Sequence, residues 1–411
     1  MKFQAPPGTH DILPADFPNW NRIVDTAAEV CALYGYRPIR TPGFEDTRLF
    51  ERTAGRGSDV VRKEMYTFED RGGRSLTLRP EATAPICRAY VEHGLHREPQ
   101  PQKLYTVAPM YRYDRPQRGR YREHYQLSVE AIGSDDPAVD AELIQLYVEL
   151  LRRLGIRDYR IELNSIGDRA CRPAYVERLR AWLTEHDADL DEDTRTKAEA
   201  TPLRVFDTKN PHVAEALADA PKVGESLCDG CADHFQAVRR YLDALDVAYE
   251  LVPTLVRGLD YYTRTTFEFK STSLGAQDAL VGGGRYDYLV EEIGGPPTAA
   301  IGFGAGIERL VIALEEEVGT MEEPAVASVF FAFDGSAPRE DVLALMARLR
   351  RSGVACDTDY AARSLRGQLT QAQRVGAEVV VVRDHNGFTV RRQGEPDLLV
   401  QTAEELEHAL A

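Results

Sequence analysis

The chain has 411 residues, 43% hydrophobic and 28% charged, a mixture that excludes a wholly disordered or collagen-like protein and suggests two to four domains at roughly 100–200 residues each. Its formal net charge is −16, from 50 Lys+Arg against 66 Asp+Glu, which argues against a non-specific nucleic-acid binder because such binding draws on counterion release at a basic surface. No apolar run approaches the ~20 residues of a membrane span, the opening eight residues lack the apolar core of a secretory signal, and six Cys in a chain this long make no disulfide scaffold, so the expected home is the reducing cytoplasm, without a membrane partner.

Residues 16–34 read as an amphipathic helix, with Trp20, Ile23, Val24, Ala27, Cys31 and Tyr34 at helical spacing and Gly35 beyond its end. Arg37 to Pro42 is extended, because each Pro restricts itself and the residue before it. Short β-like runs follow at 64–69, 75–78, 104–113 and 121–132. The last two flank Arg115-Pro116-Gln117-Arg118-Gly119 and read as two strands joined by a long hairpin loop. A helix over 138–154 carries Leu143, Leu146, Leu150, Leu151 and Leu154 and ends at Gly155. Residues 167–245 are helical, charged and poor in aromatics, the texture of an inserted module. Strands are expected again at 251–256 and 265–270. The glycine runs 282–284 and 302–306 then bring backbone close to something, with a helix starting near Ile307. A charged link, 315–324, leads to alternating strands (327–333, 354–359, 378–383, 387–392) and helices (339–351, 364–375, 404–409), which mean a small α/β domain.

Residues 112–122 hold five Arg and one Asp. In an acidic chain, this points to a small polyanion held in a site, since Arg is suited to bidentate phosphate contact. Arg112 and Arg120 project from or beside strands. Gln126, Ser128 and Glu130 alternate and share one strand face, where a carboxylate needs a partner. Arg257-Gly258-Leu259-Asp260-Tyr261-Tyr262 offers a cation and two hydroxyls in a tight turn. Glu81 and Thr83, where a strand passes into a helix, either hold a substrate ammonium or cap the helix; taken alone, capping is the better reading. No P-loop, G-x-G-x-x-G or H-E-x-x-H occurs. Cys228-x-x-Cys231-x-x-His234, with Cys171 far upstream, is a single C-x-x-C without a second pair, and no bound metal is expected from it.

Together these segments resemble the histidyl-tRNA synthetases, a class II aminoacyl-tRNA synthetase family. Pro7-Gly8-Thr9-His10-Asp11 is similar to the family's N-terminal signature. Pro42 corresponds to the proline of class II motif 1 in the dimer interface, 111–130 to motif 2, and 302–310 with Arg309 to motif 3. The segments 257–263 and 283–287 resemble the two histidine-specific segments, and the first of these is the specific part of the match. The resemblance implies an α+β fold: an antiparallel catalytic sheet with flanking helices (1–166 and 246–322), a helical insertion (167–245) that contacts the tRNA acceptor arm, and a C-terminal α/β anticodon-binding-like domain (325–411). It implies a homodimer.

The same resemblance implies ligation of L-histidine to tRNA(His) through histidyl-adenylate, with ATP as substrate and Mg²⁺ accompanying it. Arg257, Arg112 and Gln126 are the expected catalytic residues. Glu81, Ala82, Thr83, Arg112, Gln126, Glu130, Arg257, Tyr261, Tyr262 and Tyr286 would bind histidine, and Arg112, Asp114, Arg120, His124 and Arg309 would bind ATP. Asp114 stands where Glu is usual, Ala82 where Gly is common, and His124 where a Phe stacking on adenine is expected. An imidazole titrates near neutrality, which would make adenine affinity pH-dependent. The loop between Val382 and Phe388 is shorter than in the family pattern. The alternative reading is a non-catalytic, synthetase-like regulatory subunit of histidine biosynthesis. Such paralogues lose the Arg257-type segment and the C-terminal domain; both are here. A different class II synthetase is disfavoured by Glu130 with Tyr261-Tyr262.

Overall fold

The computed structural model describes residues 3–53, 60–208, 210–275, 278–321, 325–335 and 337–410; Pro324, the expected end of the charged link, lies outside them. The chain divides into two units, Met1–Met321 and Glu322–Ala411. In chain order the first contains α1 (Phe17–Leu33), β1 (Arg37–Pro38), β2 (Phe44–Asp46), α2 (Thr47–Thr53), β3 (Tyr66–Glu69), β4 (Ser75–Leu78), α3 (Thr83–Glu92), β5 (Gln102–Tyr111), β6 (Glu123–Ile132), α4 (Pro137–Leu154), β7 (Arg160–Ser165), α5 (Arg172–Glu185), α6 (Glu192–Ala200), α7 (Pro211–Ala216), α8 (Asp229–Ala244), β8 (Glu250–Leu251), β9 (Thr263–Lys270), β10 (Ala279–Arg285), α9 (Leu289–Glu292), β11 (Ala300–Gly306) and α10 (Ile307–Glu317).

Eight strands form one sheet in the order β1-β5-β6-β11-β10-β9-β7-β8. Every interior pairing is antiparallel, and only the outermost strands, β1 on β5 and β8 on β7, run parallel to their neighbours. A second small sheet has the order β2-β4-β3. Alternation decides which face is which. Leu127 and Val129 of β6, Phe267 and Phe269 of β9, and Ile301, Phe303 and Ala305 of β11 are buried in one core with residues of α1, α4, α8 and α10. Helix α4 shows why it forms: the Asp136 side chain accepts from the Ala138 N–H at 2.9 Å, Pro137 opens the first turn, and Gly155 closes it at φ +86°. Its leucines 143, 146, 150, 151 and 154 are all fully buried, each worth roughly 1.5–3 kcal/mol of transfer free energy.

The structure departs from or adds to the sequence reading at three places. Only Glu250–Leu251 is strand, not 251–256. Pro253 has no N–H to give a ladder, and the Asn164 Nδ2 captures the carbonyls of Pro253 and Leu255 at 3.2 and 3.0 Å, so the chain leaves the sheet and curls over it. The glycine runs, to which the sequence assigned no element, lie within strands β10 and β11. Strand β7 was not foreseen at all; its alternation is hidden because nearly every residue in it is buried. The helical segment 167–245 also shares cores with its surroundings. Val238 and Leu242 of α8 join the α4 core, and Tyr175 and Leu179 of α5 pack with Ile166, Tyr261 and Tyr262.

Arg285 and Asp140 are both completely buried and meet at 2.7 Å. The guanidinium also donates to the carbonyls of Ser134 and Asp136 and to Asp287. This ion pair ties β10 to α4 through the loop that caps α4. His234 of α8 stands beside it, 3.8 Å from Asp140, and burial together with Arg285 holds its pKa down at about 4.

The second unit contains β12 (Val329–Phe333), α11 (Glu340–Arg351), β13 (Cys356–Thr358), α12 (Leu365–Arg374), β14 (Val379–Arg383), β15 (Phe388–Arg392), β16 (Leu398–Val400) and α13 (Ala403–Leu410). Its sheet has the order β13-β12-β14-β15-β16, parallel at β13-β12-β14 and antiparallel beyond. Phe331 and Phe333 face α11 and α13, while Phe330 and Ala332 face α12. Strand β16 escaped the sequence reading. The short loop between β14 and β15 closes on Asp384, whose carboxylate accepts the N–H groups of Asn386 and Gly387 at 2.7 and 2.9 Å.

Replacing Asp140 by Ala strands the buried Arg285 charge, and the expected loss is about 3–5 kcal/mol of stability, read as a lowered urea midpoint of the first unit.

Candidate active site

The face of the large sheet away from α1, α4 and α10 carries the polar residues. Register builds it in rows. Gln126 of β6 pairs with Gly306; Ser128 with Gly304, then Gly282 and Glu268; Glu130 with Gly302, then Gly284 and Thr266. Gly282 and Gly284 of β10 and Gly302, Gly304 and Gly306 of β11 lie on this face, and at Gly282, Gly302 and Gly304 a Cβ would take the room of a side chain of the site. A Cβ on Gly302 would sit 1.6 Å from Glu130 Oε2, one on Gly304 2.4 Å from Gln126 Nε2, and one on Gly282 1.9 Å from Arg257 Nη2. Glu130, Gln126 and Arg257 lie flat across this floor.

Glu130 is fully buried. It accepts a hydrogen bond from the Thr83 hydroxyl at 2.7 Å and one from the Tyr286 hydroxyl at 2.5 Å. Desolvation outweighs these two donors and pushes its pKa up to about 8. Tyr261 and Tyr262 have ring centroids 4.7 Å apart, and Tyr261 stands edge-on to Tyr286 at 5.7 Å. The three tyrosines and Ala82, itself fully buried, belong to one cluster over the sheet. Glu81 takes the capping role: its carboxylate accepts from the Thr83 and Ala84 N–H groups at 2.5 and 3.0 Å, while burial raises its pKa. Thr83 thereby faces Glu130. Arg285, inside the segment matched to the second histidine-specific motif, is not on this face; its neighbour Tyr286 is.

Arg257 is brought over Gly282 by the 252–262 loop, and Glu268 holds it at 2.5 Å. Glu268 was not singled out in the sequence, yet the alternation Thr266-Phe267-Glu268-Phe269 shows it: the phenylalanines take the core face and leave Glu268 on the other. Glu308 was also missed. Its carboxylate accepts the Tyr125 N–H at 2.8 Å, and burial raises its pKa to about 7.

The arginines converge at the other end of the face. Arg112 donates from Nε to the Pro80 carbonyl at 2.7 Å, which uses one of its five donors. Arg309, in the first turn of α10, spans to the carbonyls of Gly119 and Ala279 at 2.9 and 2.6 Å. Its pKa is lowered by burial and then by the charges of Arg120 and Arg112, so the three cations are close enough to repel and fit an anionic occupant. Arg120 forms an ion pair with Asp114; the shorter Asp reaches its arginine. Arg122 packs on Tyr113 at 4.0 Å, and its N–H donates to the Gly8 carbonyl at 2.8 Å, which holds the N-terminal Pro-Gly turn against the hairpin.

His124 stands two residues before Gln126 on β6. Burial, then the charges of Arg112 and Arg309, depress its pKa to about 3. A titration near neutrality was expected; burial and the two arginines instead favour the neutral ring there. Because the folded value lies below the unfolded one, near 6.5, His124 contributes stability present above pH 6.5 and lost as pH falls towards 3.

The sequence profile of the histidyl-tRNA synthetase family matches residues 8–310. The histidine–tRNA ligase of Halothermothrix orenii is 46% identical over 382 residues, covering 93% of this chain and 91% of that relative. The apo crystal structure of S. aureus histidyl-tRNA synthetase superposes with a TM-score of 0.82 at 34% identity, over 99% of both chains. An ATP phosphoribosyltransferase regulatory subunit/histidyl-tRNA synthetase from Bacillus halodurans C superposes with a TM-score of 0.66 at 25% identity, covering 93% of this chain and 98% of that one.

Adjacent glycines separate site from core. Gly282→Ala should change stability by less than about 1 kcal/mol, because the guanidinium of Arg257 swings aside, but should weaken triphosphate binding. Gly283→Ala meets Gly302 O, Phe267 and Phe303 at 2.5–2.7 Å and should cost about 1–3 kcal/mol. Urea unfolding beside ATP binding checks both. The His124 ring resonances should show no inflection between pH 5 and 8.

Proposed function

This chain belongs to the histidyl-tRNA synthetase family, and on that premise we propose how its residues divide the charging of tRNA(His) with histidine. The observation that carries the reading is Glu130, buried beneath three tyrosines and paired with Thr83 and Tyr286. A histidine imidazole offers one N–H donor and one acceptor. Glu130 takes the N–H, and Tyr262 donates to the other nitrogen, with Tyr261 and Tyr286 as walls. A pocket of this kind rejects side chains that leave its polar groups unpaired. Gln126 and Thr83 hold the substrate ammonium, and Glu81, through its grip on the first turn of α3, orients Thr83. Ala82 narrows the space at that end.

Arg112 and Arg257 flank the α-phosphoryl group of ATP. The histidine carboxylate is already a nucleophile, so the first step needs no base; it needs cations where charge builds on the α-phosphoryl oxygens. Arg257, braced by Glu268, supplies one from a fixed position. Arg309 and Arg120, the latter oriented by Asp114, hold the distal phosphates. His124, neutral, lies against adenine. Mg²⁺ enters as part of the ATP complex. Glu268 and Asp114 on this face are engaged by arginines, which fits a Mg²⁺ held mainly by phosphates and water. Adenylate forms with loss of pyrophosphate, and the tRNA 3′ end then takes the histidyl group with loss of AMP.

The segment 167–245 is proposed to meet the tRNA acceptor arm, and the domain 325–411, within the second unit, the anticodon. A homodimer is proposed through the β2-β4-β3 sheet near Pro42. Phe44 and Phe68 lie side by side there, 50% and 42% exposed, an apolar pair that a second copy would cover. Among the described residues no helix is long and apolar enough to cross a membrane.

Histidine-dependent ATP–pyrophosphate exchange without tRNA tests the assignment, with the other amino acids as controls. Exchange with histidine alone is expected; histidine binding without exchange would instead support the regulatory-subunit reading. Arg257→Ala should fold and bind histidine yet lose about 10²–10³-fold in exchange rate, the usual effect of removing one transition-state donor. Unimpaired exchange would remove Arg257 from the reaction.

A further inference from the structure

The C-x-x-C pair does not work with His234, which faces Asp140 instead. Cys228 and Cys231, at the start of α8, meet Asp168 and Cys171 from the turn between β7 and α5, across a sequence separation of 60 residues. The three sulfurs and one carboxylate oxygen all lie within 4.8 Å of one another. Cys171 Sγ is 3.9 Å from Cys231 Sγ and 3.5 Å from Asp168 Oδ1, and Cys228 Sγ is 3.9 Å from the same oxygen. A tetrahedral zinc with Zn–S of ~2.3 Å and Zn–O of ~2.0 Å has edges of about 3.8 Å between sulfurs and about 3.5 Å between sulfur and oxygen. The sulfurs are too far apart for a disulfide, which needs ~2.05 Å, and all three cysteines are free.

We propose that Asp168, Cys171, Cys228 and Cys231 form a structural zinc site at the root of the 167–228 segment. The surroundings are built for it. The Asp168 N–H points at Cys171 Sγ at 3.4 Å. Gly167 has φ +65°, and a Cβ there would lie 2.6 Å from that sulfur, so the loop can wrap the sulfur only with glycine. Arg264 stands 3.6 Å from the second Asp168 oxygen and offsets the excess negative charge that three thiolates and a carboxylate leave on a zinc ion. Four ligands close the coordination sphere, which makes the ion structural rather than catalytic.

The site joins the start of the inserted segment to the start of its last helix, α8, and its position gives it a route to the histidine pocket. Arg172, next to Cys171, donates to the carbonyls of Gly167 and Tyr262, and the Arg264 N–H donates to the Gly167 carbonyl at 2.7 Å. A metal that fixes this knot fixes the backbone on which Tyr261 and Tyr262 stand.

The test reads the metal directly and is independent of the assigned reaction. Full-length protein produced with added zinc, then dialysed, should carry about one zinc per chain by plasma mass spectrometry. Cobalt(II) exchanged into it should show thiolate-to-cobalt charge transfer and the visible bands of tetrahedral coordination. Cys228→Ser, at the more accessible edge of the cluster, should bind zinc at least tenfold more weakly while keeping the wild-type circular dichroism. Asp168→Cys should retain the metal and strengthen the charge-transfer band. Zinc well below one equivalent in wild type, with no cobalt spectrum and every thiol titrating as free, would overturn the proposal, as would a Cys171–Cys231 disulfide in protein purified under air. So would a Cys228→Ser protein that keeps wild-type zinc affinity.

Discussion

The absence of side chains along β10 and β11 is the constraint on which the rest of this architecture depends. A strand is ordinarily weakened by glycine, which loses more backbone freedom than any other residue and packs nothing. Here the cost is concentrated on one face, and the opposite face, although it includes Gly283, carries Val281, Ile301, Phe303 and Ala305 into the α1/α4/α10 core. The sheet is thus solid beneath and flat above. Glu130, Gln126 and Arg257 lie close to the main chain because nothing projects between them and it. A β-branched residue at any of these positions would lift the polar layer off the sheet.

Electrostatics in this face follows burial more than pairing. Glu130 has two hydroxyl donors and still rises to about 8, and His124 falls to about 3. Both shifts favour the neutral form, Glu130 beneath the tyrosines and His124 beside Arg112 and Arg309. Positive charge concentrates at the end away from Glu130, where Arg112, Arg120 and Arg309 repel one another. That polarity matches the proposed substrates, a neutral ring at one end and a triphosphate at the other, with Arg257 between them. Arg285 and Asp140 illustrate the other use of buried charge. Both are fully enclosed and satisfied by each other and by loop carbonyls, and they lock β10 to α4 without touching the polar face.

Much of this was legible in the residues. Helix α4 declares itself through its leucine stripe and Gly155, and the second unit through simple alternation of strand and helix. Gln126, Ser128 and Glu130 were readable as one face because strand periodicity is two. Other features resisted reading for definite physical reasons. Glycines in β10 and β11 signal loops by propensity, and only pairing with β6 and β9 makes them strands. Strand β7 is buried on both faces and loses its alternation. The 252–262 loop has β-like composition but is drawn out of the sheet by Pro253 and by Asn164, a partner ninety residues away in sequence.

Sequence by itself determined the local elements, the family resemblance and the residue types of the polar face, because periodicity, caps and motifs act over a few residues. Tertiary structure alone decided which of those residues meet. It turned Arg285 to the core while leaving Tyr286 in the pocket, set Glu268 behind Arg257, and replaced His234 by Asp168 beside the cysteines. Each of these rests on contacts between distant segments, where burial, register and hydrogen-bond supply select the partner, and no short-range pattern records that choice.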